Sequence, residues 1–246
     1  MKPFLSVLLL FMTLGLSAQK VDSRYFELRI YYCHPGRLDA LIERFQNHTT
    51  KLFEKHGMEN IGYWLPVEND KNALYYILAY PDKDAREKSW AAFSADPQWN
   101  EVKSKSEESG KIVESVVSVF MNASDIMPKI KPGKGKGRVF ELRTYTCLPG
   151  RLPNLTTRFK DHTVKLFEKH GMENIVYFNS IEKDGGQPRL IYLLAHKNQE
   201  EATKSWAAFR ADPVWIAARD ASEKDGKIVE KVESVYLTPL SFSKIK

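Results

Sequence analysis

The chain repeats itself. Phe-Glu-Leu-Arg starts at Phe26 and again at Phe140, and Pro-Gly-Arg at Pro35 and again at Pro149, both at a spacing of 114. Lys-Ser-Trp-Ala-Ala-Phe at Lys88 and Lys204, and Gly-Lys-Ile-Val-Glu at Gly110 and Gly226, recur at 116, which places a two-residue insertion in the turn around Asp184, Gly185 and Gly186. A duplication on this scale admits only folds that build one unit of about 100 residues twice. Between the copies, Asn122 to Gly137 is rich in Pro, Gly and Lys and reads as a flexible connector. The expected units are therefore residues 24–121 and 138–240, joined by 122–137.

Each copy shows the same succession of periods. Tyr25 to Tyr32 alternates in polarity and reads as a strand, and Pro35-Gly36 turns the chain. Leu38, Leu41, Ile42, Phe45, Leu52 and Phe53 then fall at helical spacing, with Gly57 as the stop. Ile61 to Leu65 and Leu74 to Tyr80 predict a hairpin, Asp82 to Phe93 a second helix, and Asp96-Pro97 caps a further helical segment through Trp99. Ile112 to Phe120 closes the copy as a strand. The order βαββαβ makes the fold class α+β, two tandem ferredoxin-like domains.

The first residues read as a secretory leader, 1–18: Lys2 is the charged start, Phe4 to Leu16 the apolar run, and Ser17-Ala18 the small residues before cleavage. That run is shorter than the ~20 apolar residues of a spanning helix, so no membrane span is expected and the chain is placed in a periplasm or outside the cell. Losing Lys2 takes the formal charge from +6 to +5, and part of the excess lies in Lys129, Lys131, Lys134, Lys136 and Arg138. This basic run lacks interleaved aromatics, so a solvated linker is expected and nucleic-acid binding is not.

Phe26-Glu27-Leu28-Arg29, then Tyr31 and Pro35-Gly36-Arg37-Leu38, resembles the NIPSNAP signature, and Phe140 to Arg143, Tyr145 and Pro149 to Leu152 repeat it. Ala95-Asp96-Pro97 with Trp99, and Ala211-Asp212-Pro213 with Trp215, extend the resemblance over nearly the whole chain after the leader. It implies a dimeric α/β barrel, here formed within one chain, with two sheets face to face around a cavity. Superfamily relatives include cofactor-free monooxygenases and others acting on haem, which is the only support for a cofactor; none is expected from the residues themselves.

Alternation puts Phe26, Leu28, Ile30 and Tyr32 on one face of the first strand and Glu27, Arg29 and Tyr31 on the other. With the apolar face toward the helices, Glu27, Arg29 and Tyr31 would meet Glu141, Arg143 and Tyr145 between the sheets. Arginines and phenols together suit a carboxylate or enolate; the same residues also make a self-satisfying Glu-Arg ladder. His48 and His162 lie at the edge of the helical stripe, aimed at the sheet from the helix side, as packing residues or as a base or haem ligand. His56 beside Gly57 suits the helix-end carbonyls. No spacing of His, Cys and carboxylates predicts a metal site. Cys33 and Cys147 are equivalent positions and read as two separate thiols, and the run Lys51 to Ile61, recurring unchanged at Lys165 to Ile175, suggests contacts between copies or with a partner, or a recent partial gene conversion.

The functional expectation is a non-catalytic protein: the barrel cavity holds a small, partly apolar anion, or the outer helices bind a protein partner, with oligomerisation open. The alternative is an oxygenase or isomerase acting on a small organic substrate in the same cavity.

Overall fold

The computed structural model describes residues 21–130, 137–182 and 186–246. The expected leader at 1–18, the connector residues 131–136, and Asp184 and Gly185 of the expected insertion turn lie outside them. The first half comprises β1 (Tyr25–Cys33), α1 (Leu38–Arg44), a π-helical turn (Phe45–Thr49), α2 (Thr50–Lys55), β2 (Glu59–Pro66), β3 (Ala73–Tyr80), α3 (Lys83–Ala95), α4 (Pro97–Ser106) and β4 (Val113–Ala123). The second repeats it with β5 (Val139–Cys147), α5 (Leu152–Arg158), a π turn (Phe159–Thr163), α6 (Val164–Lys169), β6 (Glu173–Ser180), β7 (Arg189–His196), α7 (Gln199–Ala211), α8 (Pro213–Glu223) and β8 (Val229–Pro239).

Local signals set most boundaries. Gly57 adopts φ +76 and ends α2 in a Schellman arrangement, Met58 N–H donating to Phe53 O at 2.9 Å and Gly57 N–H to Glu54 O at 3.1 Å. Asp82 caps α3 by accepting from Ala85 N, and Asp96 caps α4 by accepting from Gln98 N. The helix after Asp96-Pro97 continues past Trp99 to Ser106.

The eight strands close into one antiparallel barrel, in the order β1-β3-β2-β8-β5-β7-β6-β4. Two short joints between halves complete the ring. The end of β4 pairs with β6 (Met121↔Ser180, Asn122↔Asn179, Ala123↔Phe178), and the end of β8 pairs with β2 (Trp64↔Pro239, Leu65↔Thr238, Pro66↔Leu237). Each chain segment then continues onto the opposite half. Ser124 N–H donates to Tyr177 O at 2.9 Å, and Leu240 N–H to Tyr63 O at 3.0 Å. Ser243 Oγ accepts from Tyr63 N at 2.9 Å, and Phe242 packs on the Tyr63 ring. The start of the expected connector is therefore not free: Asn122 and Ala123 are strand, and Met127 is buried.

The two faces of β1 are the reverse of the sequence expectation. Phe26, Leu28, Ile77, Val119 and Met121 share the barrel interior with Phe140, Phe178 and Leu237, and the Phe26 and Phe178 ring centroids lie 4.8 Å apart across the halves. Glu27, Arg29 and Tyr31 point instead at the helices, as do Glu141, Arg143 and Tyr145. Burial explains the reversal. The interior is enclosed by sheet on all sides and takes the purely apolar face, whereas the helix layer brings polar partners to the ladder. The expected inter-sheet cleft is filled with side chains.

The interior is packed differently at its two ends. The Trp64 indole lies over Gly62, where a Cβ would come within 2.1 Å of it, while the equivalent pair in β6 is Val176 and Phe178, both buried. Gly62→Val should overpack the barrel and destabilise it by about 1–3 kcal/mol. Adding Trp64→Phe, which reproduces the β6 pair, should recover most of the loss in urea unfolding.

Candidate functional site

The ladder is a closed network between sheet and helices. Glu27, fully buried, accepts from Arg29 at 2.5 Å, from Arg86 of α3 at 3.0 Å through two nitrogens, from Tyr80 at 3.0 Å and from Trp90 at 3.2 Å. Arg29 also donates to Tyr76 at 2.9 Å and to Ser118 at 3.0 Å, and its guanidinium lies 4.3 Å from the Trp90 ring. In the second half Glu141 accepts from Arg143 at 2.5 Å, Trp206 at 2.6 Å and Ser234 at 2.6 Å, and pairs with His196 Nε2 at 2.9 Å. His196 replaces Tyr80, and Ala202 stands where Arg86 would be. Burial opposes ionisation of both carboxyls. For Glu27 the contacts with Arg86 and Arg29 outweigh it and hold the carboxyl below its ordinary range; for Glu141 the contacts with His196, Arg143, Ser234 and Trp206 hold it down to about 2. Both carboxylates and both arginines are occupied with these partners, and His196 Nδ1 alone in the network is buried without one, so the ladder acts as a support.

The π turn decides what lies in front of that support. Its wider winding shifts the backbone bonds to five residues back, Thr50 N–H donating to Phe45 O, and two threonine hydroxyls add bonds at the same reach: Thr49 Oγ1 donates to Arg44 O and Thr50 Oγ1 to Phe45 O, each at 3.1 Å. The added residue rotates the next turn of helix, so Thr49 faces inward and His48 outward. His48 and His162 are exposed, contrary to their expected aim at the sheet. His56 also differs from expectation. Its Nε2 meets Asp96 at 2.7 Å, beside Lys55 at 2.6 Å, so the helix end is tied to the α4 cap. Those bonds, and Glu54 accepting from Asn60, occur within each half and account for part of the unchanged run from Lys51 to Ile61.

Between the π turn, α4 and the sheet lies a pocket of about 340 Å³, lined by Tyr31, Phe45, Phe53, Phe93, Trp99, Thr49, Arg44, Lys103, Glu107, Lys111, Val113 and Val116. Phe45, Phe53 and Phe93 are buried beneath half-buried Tyr31 and Trp99, Arg44 is buried beside them, and Lys103 and Lys111 stand exposed at the rim. Arg44 is paired with Glu107 at 3.1 Å and lies 5.3 Å from the Trp99 ring; Lys103 and Lys111 enter none of the ion pairs among the described residues. Tyr31 is the one ladder member that lines it, hydrogen-bonded behind by Arg29. The second half has the same or like-charged residues at every equivalent position, with Arg219 for Lys103 and Lys227 for Lys111, and the same Arg158–Glu223 and Arg158–Trp215 contacts. Sequence reasoning found Trp99 and Trp215 after the two Asp-Pro pairs; it missed Lys103, Lys111 and Arg44, whose convergence depends on the full length of α4.

A larger groove of about 530 Å³ lies on the other side of Arg44, lined by Arg37, Glu43, Asn47, His48, Glu101 and Lys105 among others. Its charges are mixed, Lys105 is paired with Glu101, and Arg37 is committed to Ser106 O, Gly110 O and Ser109. The smaller pocket sets an aromatic floor beside two lysines that enter none of the ion pairs among the described residues, and this gives it the composition of a ligand site. His48 does not reach it, so the residues do not fit a histidine-ligated haem there. Among the described residues no cluster of His, Cys, Asp and Glu could hold a metal ion, and no helix is long and apolar enough to cross a membrane. Cys33 and Cys147 are free and buried, and burial pushes both thiols up to about 11.

The NIPSNAP family model matches residues 26–128 and again 140–244. The chain belongs to the NIPSNAP family. No curated protein matches the sequence. Among solved structures, this NIPSNAP chain resembles a protein from Fusobacterium nucleatum provisionally described as a monooxygenase (13% identity, 91% of this chain and 98% of that one, TM-score 0.59). It also resembles an anthrone oxidase-like protein (15% identity, 91% and 94% covered, TM-score 0.56). At such identities the likeness is one of fold.

The Glu141 network makes a pH prediction. Its carboxyl is held below the ordinary 4.5 in the folded chain, so the stabilisation is complete above that pH and disappears as pH falls toward about 2, a loss of about 3 kcal/mol. Urea unfolding across this range should show that slope, and Glu141→Gln should flatten it. Equal slopes in both proteins would assign the acid sensitivity elsewhere.

Proposed function

We propose that this NIPSNAP protein is an exported binding protein whose ligand, a small aromatic or partly apolar carboxylate, occupies the helix–sheet pocket of each ferredoxin-like half. The observation that carries the reading is the pocket's composition: five aromatic rings below, and at the rim two lysines without ion-pair partners among the described residues. The rings would take the apolar body of the ligand, Lys103 and Lys111 its charge, and the Tyr31 hydroxyl a hydrogen bond. Export is supported by Lys2, the apolar run Phe4 to Leu16 and Ser17-Ala18. An oxygenase or isomerase using the same pocket would have Tyr31 and Glu107 as proton-handling groups. Glu107 is engaged with Arg44, which favours binding over turnover.

Native mass spectrometry of protein from its own host, followed by tryptophan fluorescence titration with benzoate, salicylate and indole-3-acetate, tests this. The mature chain should begin at Gln19, and at least one of these carboxylates should quench Trp99 or Trp215. Lys103→Glu with Lys111→Glu should weaken binding at the first site about tenfold or more, while Glu101→Gln in the neighbouring groove should not. Affinity unchanged by the paired lysine reversal would refute the site.

A further inference from the structure

The strands that close the barrel are longer than the neighbours that cover them. On its outer edge β8 meets β2 only at Leu237–Pro239, and the last bond there is Val67 N–H to Tyr236 O at 2.8 Å. Backbone groups of alternate residues point to the same side of a strand, so Ser234 and Val232 also turn their N–H and C=O outward. No strand among the described residues meets them on that side. Glu230 to Ser234 are exposed, Val232 by 46%. Such an edge is a template for another strand.

We propose that a second copy of this chain pairs on that edge, the two β8 strands running antiparallel about a twofold axis through Val232. In that register each Val232 faces its counterpart and exchanges both backbone hydrogen bonds with it. Lys231 then lies opposite Glu233 of the second copy, and Glu233 opposite Lys231. These two side chains already pair within the strand at 2.8 Å and are more than half exposed, so the four charges can form an alternating ring. Centring the axis one residue either way would set Lys231 against Lys231 or Glu233 against Glu233, so charge fixes the register. The equivalent edge of β4 is open in the same way, Phe120 O accepting from Ile181 N, but Glu114 is the single charge from Val113 to Val119 and offers no such complementarity. The dimer is isologous and closed, so it does not propagate.

Sedimentation velocity of the full protein over a dilution series tests this. The wild type should reach twice the chain mass. Lys231→Glu and Glu233→Lys should each weaken the dimer about tenfold, because one reversal turns both attractive pairs repulsive, and the double reversal should restore wild-type association. Val232→Pro, which removes the central N–H donor, should give monomers, while Val116→Pro on the β4 edge should leave the dimer intact. A wild type that stays monomeric, a dimer indifferent to single and double charge reversals, or one abolished by Val116→Pro would each overturn the proposal.

Discussion

Two three-residue joints, β4 with β6 and β8 with β2, turn a pair of four-stranded sheets into a closed barrel. Everything that positions the candidate site depends on that closure. Once the sheets form a ring, their inner faces see only each other and must be apolar, so Phe26, Phe140 and Phe178 meet inside. The polar ladder is left facing the helix layer, where α3 and α7 supply Trp90 and Trp206 as donors. The joints are reinforced by reciprocity, since each half sends the segment after its last strand onto the other: Ser124 to Tyr177, and Leu240 and Ser243 to Tyr63.

Much of this was legible in the sequence. The repeat gave the number of units, alternation and helical spacing the order of elements, and Gly57, Asp82 and Asp96 the helix ends. What alternation could not supply was direction. Both faces of these sheets are covered by protein, so period two separates Glu27, Arg29 and Tyr31 from Phe26 and Leu28 without saying which set lies inside. A usable signal was Arg86 with Trp90, four residues apart on one helix face and matched to the ladder. The π turn had no signal in periodicity, because Phe45 and Leu52 keep an acceptable helical spacing with or without it. Its one sequence trace is Thr49, repeated as Thr163, whose hydroxyl returns a bond to the carbonyl five residues back, and without it His48 was placed on the wrong face.

The halves have diverged unevenly, and the pattern bears on function. The networks around Glu27 and Glu141 differ, Tyr80 and Arg86 giving way to His196 and Ala202, yet both carboxylates remain buried and satisfied. Several solutions serve a support equally well. The residues that line the pocket in front recur in the second half as the same aromatic floor, the same Arg-Glu pair and two cations, of which Arg219 is paired with Asp220. A purely packing role would tolerate exchange at exposed rim positions such as Lys103 and Lys111, so the shared charge points to a shared demand.

The reciprocal joints make the two halves one cooperative unit, because neither sheet can open without exposing the interior of both. Differential scanning calorimetry of the purified protein tests that claim most directly. A barrel held in this way should melt in a single transition whose calorimetric enthalpy equals its van't Hoff enthalpy. Two resolved transitions, or a calorimetric enthalpy about twice the van't Hoff value, would mean that the halves unfold separately and that the joints do not hold the barrel together.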